Sequence, residues 1–266
     1  MAGGRAPDVA VTRVPVPVPT RAPHGTTNCY VVGTDRALLV DPPATSEDLD
    51  DCLDGTSVAN VAVTHHHPDH VGAVADYAAA HGATVWGRYG REDAFEAATG
   101  VRPDRTFLDG TVIGTDAGEV TVVDAPGHAP EHVAFAVGDV LVTGDLAVAE
   151  GSVVVGAPEG DVRAYVGSLR RVWARSPDRL YAGHGRVVED PRATCERLID
   201  HRLDRERRVL AAVRDGAETT EEGVDAAYEK DVSAVRDLAL ATVEAHLEKL
   251  AVEGRIAWGG TRAGPT

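Results

Sequence analysis

The 266-residue chain carries 42 acidic and 26 basic side chains, a net charge of −16, and 43% of its residues are apolar. This composition supports one large domain, or a domain of about 200 residues with a small second one. It excludes a membrane span, because no stretch approaches the roughly 20 consecutive apolar residues that a span requires. The acidity also argues against attraction to nucleic acid.

The first residues, MAGGRAPDVA, lack the apolar h-region of a secretory signal, which predicts a cytoplasmic protein. The cysteines Cys29, Cys52 and Cys195 are odd in number and form no C-x-x-C pair. We therefore expect free, reduced thiols rather than disulfides or a thiolate metal site.

Short apolar runs alternate with helical patterns over most of the chain. The VPVPVP segment near the N-terminus favours an edge strand or a polyproline lead-in. Strands are predicted at residues 37–41, 58–64, 84–87, 120–125 and 178–185, with a hairpin at 133–145. A helix is predicted over residues 71–82, ending at Gly82. Mixed elements of this kind predict a layered α/β domain.

From about Ala193 the pattern changes to amphipathic helices. The segments are ERLIDHRLDRERRVLAAVRDG, TTEEGVDAAY and VSAVRDLALATVEAHLEKLAVEG, followed by the strand RIAWGG. Thr219 and Glu222 form a capping box at the start of the second helix. Three helices and a terminal hairpin strand predict a winged-helix-like domain over residues 193–266, after a catalytic domain over residues 1–192.

The segment THHHPDHVG, residues 64–72, crowds four histidines and an aspartate into six positions. A surface tag or a pH-sensing patch would have no correlated partners elsewhere. Here three partners, His128, Asp145 and His184, each lie just beyond a predicted strand. Imidazoles and carboxylates on loops above a rigid sheet are what a catalytic zinc site requires.

The spacing within this segment divides the candidate ligands between two ions. His65 and His67 lie on the same side of an extended chain, so both can reach one metal. Asp69 and His70 follow the bend at Pro68 and can bind a second. One tetrahedral ion cannot use the whole set of seven, whereas two ions with a bridging carboxylate can. The candidate ligands are His65, His67, Asp69, His70, His128, Asp145 and His184.

The pattern H-x-H-x-D-H, followed by separate His, Asp and His, resembles the metallo-β-lactamase superfamily. The segments TNCYVVG (27–33) and ALLVDPP (37–43) are similar to the opening hairpin of that family. The resemblance implies a four-layered αββα fold that holds two Zn²⁺ ions, with Mn or Fe as substitutes. It assigns His65, His67 and His128 to the first ion, Asp69, His70 and His184 to the second, and Asp145 to both.

The implied chemistry is attack by a metal-bridging hydroxide, with Asp69 as the catalytic residue that orients it. His66 points the other way along the extended segment, so we expect a structural role or one beside the ligands. His132 either orients a ligand or contacts substrate. The other histidines are not part of this pattern of candidate ligands, and we interpret them as surface or packing residues. They are His24, His81, His201 and His246.

Several functions are compatible with this resemblance. We favour hydrolysis of a small-molecule thioester or ester, as in the glyoxalase-II-like branch. The tail also resembles the winged helix of β-lactamase-like endoribonucleases, which makes a phosphodiesterase acting on single-stranded RNA the alternative. A winged-helix nucleic-acid-binding regulator with a vestigial metal site would not need all seven ligands. A persulfide dioxygenase with one iron would not need the second ligand set.

The charge pattern of the tail disfavours RNA. Acidic residues outnumber basic ones there too, although phosphate contact depends on lysine and arginine. The most basic cluster is Arg202, Arg205, Arg207 and Arg208. Interleaved acidic residues favour its interpretation as a solvated face of paired charges. We therefore expect a small-molecule substrate and no membrane partner.

The distribution of charge also predicts a halophilic protein. Lys230 and Lys249 are the only lysines, and the chain has one Met and three Phe. A surface rich in carboxylates and poor in lysine suits a salt-saturated cytoplasm. The alternative is an ordinary acidic enzyme from a GC-rich genome.

We expect activity in molar KCl to exceed activity in dilute buffer, because the surface carboxylates would repel one another where they are not screened. Assays of the purified protein across this range of KCl concentration test the expectation. Equal or lower activity in molar salt would support the ordinary acidic enzyme.

Overall fold

The computed structural model describes residues 11–266 and shows two compact units. The first unit comprises the described residues up to Asp124 together with Glu131–Gly151 and Pro177–Pro191. The second unit comprises Ala125–Pro130, Ser152–Ser176 and Arg192–Thr266. The predicted domains, 1–192 and 193–266, stay predictions about domain organisation.

The first unit contains a six-stranded sheet in the order β1-β2-β3-β4-β5-β6. Its strands are β1 (Val11–Pro17), β2 (Thr26–Val32), β3 (Ala37–Val40), β4 (Val58–Ala62), β5 (Thr84–Arg88) and β6 (Arg105–Phe107). The pairs β1-β2 and β2-β3 are antiparallel, and the remaining pairs are parallel. The proline-rich β1 lies at the edge of the sheet. Proline has no backbone N–H, and an edge strand tolerates this loss because one of its sides has no partner strand.

The first unit also contains a five-stranded sheet in the order β11-β10-β9-β8-β7. Its strands are β7 (Val112–Thr115), β8 (Gly118–Asp124), β9 (Val133–Val137), β10 (Val140–Gly144) and β11 (Arg179–Ala182). Only β10 and β11 pair in parallel. The predicted hairpin is confirmed as β9-β10, with Gly138 at a φ of 55° in its two-residue turn.

Two apolar cores explain why these strands are apolar at successive positions. Tyr30 and Val32 belong to the core between the sheets, which also contains Phe135 of the second sheet. Cys29 and Val31 belong to the core between the first sheet and its helices. Residues that alternate along one strand thus face opposite sides, and both sides are buried. The helices of this unit are α1 (Glu47–Leu53), α2 (Pro68–Val71), α3 (Val74–His81) and α4 (Glu92–Thr99).

The single helix predicted over residues 71–82 is wrong at its start. The chain forms the one-turn helix α2 from Pro68 and begins α3 only at Val74. The break lies at Ala73, whose φ of −115° and ψ of 14° are not helical, and the preceding Gly72 lies so close to Pro43 that an added Cβ would be 2.4 Å from its carbonyl oxygen. This close approach depends on a segment almost thirty residues away, so a local pattern does not record it. The predicted end at Gly82 is confirmed by its left-handed φ of 60°.

The second unit is mainly helical. Its elements are α5 (Val162–Arg175), α6 (Pro191–Arg214), α7 (Thr220–Ala227), α8 (Arg236–Val252), β12 (Ile256–Trp258) and β13 (Ala263–Pro265). The predicted capping box of Thr219 and Glu222 is confirmed at the start of α7. The C-terminal helices and hairpin share an apolar core. The winged-helix-like character of this region stays a prediction.

Within residues 11–266, none of the helices combines the length and apolar character needed to cross a bilayer.

The second unit buries an imidazole in a basic environment. His246 on α8 is 0% exposed, and neither of its ring nitrogens has a hydrogen-bond partner. Burial lowers the pKa of His246 to about 3, helped by the positive charges of Arg202, Arg205 and Lys249 and by His201. The side chain is therefore neutral and acts as a packing residue.

We expect the free energy of unfolding to fall as the pH drops below about 6.5, where His246 binds a proton in the unfolded chain but not in the folded one. The loss should approach about 1.4 kcal/mol per pH unit until the folded pKa is reached. Between pH 7 and 5, urea unfolding should show a loss about 2 kcal/mol larger for wild type than for His246→Gln.

His24→Gln replaces an exposed imidazole and is the matched control, which should keep the wild-type pH dependence. The same loss in wild type and His246→Gln would mean that the His246 imidazole contributes nothing to acid sensitivity.

Candidate metal centre

The candidate ligands of the first unit follow the ends of three strands. His65 lies three residues beyond β4, Asp145 directly follows β10, and His184 lies two residues beyond β11. Asp69 and His70 lie on α2, the turn that follows the histidine segment. Each side chain is thus carried by a short segment anchored in a buried strand, which is how a rigid sheet positions polar groups.

A buried carboxylate organises this region. Asp41 follows β3 and accepts hydrogen bonds from the Thr64 backbone N–H (2.6 Å) and from the Thr64 hydroxyl (2.7 Å). It also accepts one from Nδ1 of His70 (3.0 Å). Asp41 is 0% exposed and has a left-handed φ of 52°, an uncommon conformation for a residue with a side chain. The sequence interpretation gave Asp41 no role.

These contacts determine which nitrogen of His70 and of His65 carries the proton in the neutral ring. The carboxylate of Asp41 can only accept, so Nδ1 of His70 carries the proton. The Thr64 hydroxyl uses its one proton on Asp41, so it accepts from Nδ1 of His65 at 3.0 Å. Nε2 of His65 then lies 3.0 Å from Nδ1 of His67. The predicted same-side arrangement of His65 and His67 therefore brings two ring nitrogens together.

Nε2 of His70 is buried without a hydrogen-bond partner. It lies 3.6 Å from Oδ1 of Asp145. Burial lowers the pKa of His70, but the carboxylates of Asp145, Asp41 and Asp69 outweigh it and raise this pKa to about 9. The hydrogen bond at Nδ1 orients the ring so that Nε2 points toward carboxylates. A ring nitrogen in this position can bind a cation.

His184 presents its Nε2 to the same carboxylates. Its Nδ1 donates to the Thr26 carbonyl at 2.9 Å, while Nε2 lies 3.3 Å from Asp145 Oδ2 and 3.6 Å from Asp69 Oδ2. Burial lowers the pKa of His184, but Asp145 outweighs burial and raises it. The preceding Gly183 has no room for a side chain, since a Cβ would lie 2.4 Å from Asp145 Oδ1.

Two more side chains bind the aspartates, one at the backbone of Asp145 and one at the carboxylate of Asp69. Nε2 of the buried His132 accepts a hydrogen bond from the Asp145 backbone N–H at 3.1 Å. The Thr20 hydroxyl donates to Asp69 Oδ2 at 2.5 Å. His132 thus contacts a candidate ligand, and its role as an orienting or substrate-contacting residue stays a prediction. The sequence contained no signal for Thr20, because it lies in the loop between β1 and β2.

His66 lies outside this group of side chains. Its backbone N–H donates to the Glu131 carboxylate at 3.1 Å, and its ring packs edge-on against Phe95 with centroids 5.4 Å apart. Phe95 belongs to the core between the first sheet and its helices. The role of His66, structural or beside the ligands, stays a prediction.

His128 belongs to the second unit. Its Nδ1 donates to the Val154 carbonyl at 2.6 Å, so its Nε2 is the nitrogen available to a ligand. The assignment of His128 to a metal site stays a prediction.

The first unit fits divalent metal ions. Two groups of donors, His65–His70–Asp145 and Asp69–His70–His184, each place their candidate ligand atoms within 4.8 Å of one another. His65, His70 and His184 each have Nδ1 hydrogen bonded within the protein, which leaves Nε2 for coordination. Imidazole and carboxylate donors suit zinc, and also manganese or iron. The cysteines are unpaired thiols, as predicted.

Comparison with known sequences connects this centre to one family. The family model described as metallo-beta-lactamase superfamily matches residues 22–184. The beta-lactamase-like protein 2 homolog of Drosophila melanogaster is 29% identical over 249 residues, which cover 86% of this chain and 84% of that protein. An atrochrysone carboxyl ACP thioesterase of Cryptosporiopsis is 26% identical over 257 residues, which cover 87% and 76%.

Solved structures show the same architecture. A metallo-beta-lactamase family protein from Thermus thermophilus superimposes with a TM-score of 0.78 and 26% identity, covering 96% of this chain and 98% of that one. A protein solved in a di-iron-bound form has a TM-score of 0.52 and 28% identity, covering 66% and 94%. The predicted α/β metallo-β-lactamase fold is confirmed.

We expect Asp41→Asn to weaken zinc binding by about 10- to 100-fold, as is typical for partners that orient a ligand. Asparagine tolerates the left-handed φ, but its amide N–H would face Nδ1 of His70 and favour the tautomer that blocks Nε2. Competition with a chromophoric chelator measures the affinity.

Asp116→Asn is the matched control. Its exposed carboxylate accepts backbone N–H bonds from Thr34 and Arg36, in a turn separate from the ligands. Equal zinc affinity in wild type and Asp41→Asn would show that the Asp41–His70 hydrogen bond does not prepare the centre.

Proposed function

Because the chain belongs to the metallo-beta-lactamase superfamily of hydrolases, we propose that it is a two-metal hydrolase that cleaves a small-molecule thioester or ester. The observation that carries the proposal is the pair of donor groups in the first unit. They share His70 and are joined by Asp145, whose two oxygens face His70 and His184. A carboxylate placed between imidazoles is suited to serve two ions.

We propose two zinc ions as the resident metals, with manganese or iron as substitutes. One protein of the same fold was solved in a di-iron-bound form, so iron deserves a direct assay. When bound, such a metal pair lowers the pKa of water to supply a nucleophile at neutral pH and stabilises charge developing on the substrate. The proposed ligands are His65, His67 and His128 for one ion, Asp69, His70 and His184 for the other, and Asp145 for both.

Asp69 is our candidate for the residue that orients the nucleophile. Its side chain is 19% exposed against 11% for Asp145, so it is the carboxylate more open to an incoming substrate. The hydrogen bond from Thr20 holds one of its oxygens. The remaining oxygen can accept a hydrogen bond from the nucleophile and align it with an acyl carbon.

The substrate class is supported by a relative that extends along most of this chain. The protein of Cryptosporiopsis is named an atrochrysone carboxyl ACP thioesterase. Thioester cleavage requires an activated nucleophile and stabilisation of one developing oxyanion, both of which a metal pair provides. We place the enzyme in the cytoplasm, where its three thiols would stay reduced.

RNA is the less favoured substrate, because the arginines of α6 already have partners in the second unit. Arg202 is buried and donates to the Val153 carbonyl, and Arg205 donates to the Ala227 carbonyl and covers the Tyr228 ring. The exposed arginines form ion pairs, Arg207 with Asp204 and Arg208 with Glu229. Phosphate contacts would have to compete with these interactions.

We expect the zinc-loaded protein in high salt to hydrolyse S-acyl thiols or lactones and to leave single-stranded RNA intact. Metal analysis should find about two zinc ions per chain, whereas one iron would support a dioxygenase. RNA cleavage without esterase activity would reverse the choice of substrate. If the protein is inert toward all three substrates but shifts the electrophoretic mobility of duplex DNA, the winged-helix regulator is favoured instead.

Asp145→Ala checks the mechanism in the same assays. It should abolish turnover, because it removes the carboxylate proposed to serve both ions. Asp93→Ala is the matched control, since that exposed carboxylate forms only a surface ion pair with Arg102 among the contacts described for it. Turnover that survives in Asp145→Ala would mean that the two-metal mechanism is wrong.

A further inference from the structure

We infer that Asn28 is a positioning residue for His184. Its side-chain amide holds the loop of residues 182–185, which presents Nε2 of His184 to Asp145. The inference rests on the proposed function in one respect, that His184 binds the second metal ion. Nothing in the sequence connects these residues, which lie more than 150 positions apart.

Asn28 binds three of the four carbonyl groups in this loop. The residue lies on β2 and is 1% exposed. Its Nδ2 donates to the carbonyls of Ala182 at 2.8 Å and Gly185 at 2.9 Å, on the two sides of His184. Its backbone N–H donates to the Gly183 carbonyl at 2.8 Å. One residue thus satisfies most of the backbone acceptors around the ligand.

The orientation of the Asn28 amide is determined by its neighbours. Arg13 donates to Asn28 Oδ1 at 3.4 Å and to the Gly185 carbonyl at 2.6 Å. A guanidinium can only donate, and two carbonyl oxygens can only accept. The amide oxygen must therefore face Arg13 while the amide nitrogen faces the loop. A side chain without N–H donors cannot replace it.

The loop needs this external support because of its glycines. Gly183 cannot carry a side chain, since a Cβ would lie within 2.4 Å of Asp145, and Gly185 has a left-handed φ of 76°. Glycine removes the steric limits that otherwise restrict a backbone. Side-chain packing cannot immobilise these two positions, so hydrogen bonds to their carbonyls are the remaining means.

β2 also orients the imidazole itself. Nδ1 of His184 donates to the carbonyl of Thr26, two residues before Asn28 on the same strand. The Tyr30 hydroxyl, two residues after Asn28, donates to the Ala182 carbonyl at 2.5 Å. Asn28 lies between these contacts and binds both ends of the loop. Its loss would let Nε2 of His184 move relative to Asp145 and Asp69.

The test is Asn28→Leu, which keeps the branched layout of the side-chain heavy atoms and removes both N–H donors. We expect affinity for the second zinc ion to fall by about 10- to 100-fold, while affinity for the first changes little. Titration with zinc against a chromophoric chelator measures both steps. Titration with cobalt(II) should show the visible absorption of one site developing normally and that of the other delayed.

The same substitution at Asn60 is the matched control. Asn60 is a buried residue of β4 in the same sheet, and its Oδ1 accepts from Nε1 of Trp86 at 2.8 Å. Asn60→Leu should bind both zinc ions as wild type does. Asn28→Leu with wild-type affinity for the second ion would overturn the inference and leave the proposed function standing. A wild-type chain that binds only one ion would overturn both.

A second variant is used if Asn28→Leu does not fold as wild type does. If the far-ultraviolet circular dichroism of metal-free Asn28→Leu differs from wild type, Asn28→Ser is used instead. Serine has one hydroxyl donor and cannot bind both carbonyls, so the second ion should again bind more weakly than the first. Unchanged affinity for the second ion in a folded Asn28→Ser protein would overturn the inference.

Discussion

The hydrogen bonds of the Asp41 carboxylate determine the chemistry of the candidate metal centre. This one group binds the backbone and hydroxyl of Thr64 and Nδ1 of His70, and through the hydroxyl it also orients His65. In its neutral form, each imidazole therefore carries its proton on Nδ1 and offers Nε2 for coordination. The cost of burying a carboxylate is offset by the number of donors it receives. The centre depends on this arrangement because an imidazole that is protonated on Nε2 cannot coordinate a metal through that nitrogen.

The donors Asp145 and His184 are also held by hydrogen bonds from residues of other segments. Asp145 and His184 lie on glycine-containing segments just beyond β10 and β11, and in each case a residue of another segment holds the backbone. His132 binds the N–H of Asp145, and Asn28 binds the carbonyls around His184. Glycines permit the close approach of the donors, and buried polar side chains restore the rigidity that glycine removes.

Much of the fold and of the candidate site was predictable from local patterns. Apolar runs predicted the strands β3, β4, β5, β8 and β11 and the β9-β10 hairpin, because burial on both faces requires apolar residues at successive positions. The His-rich segment and its distant partners predicted the donors that the first unit assembles. Asp41, Thr20 and Asn28 were missed, since a single polar residue in a loop or strand does not indicate its partner. The break at Ala73 was missed because its contact with Pro42, a hydrogen bond of 3.1 Å, is not visible in a local pattern.

The sequence by itself determined the kinds of donors, the layered α/β class and the capping box of α7, because side-chain chemistry and short-range periodicity produce these directly. Only the tertiary structure decided which nitrogen each histidine offers, that His66 packs against Phe95, and that His246 is a buried neutral imidazole. These outcomes depend on hydrogen bonds and burial between residues far apart in the chain. Such contacts exist only when the whole backbone is folded, so no local pattern encodes them.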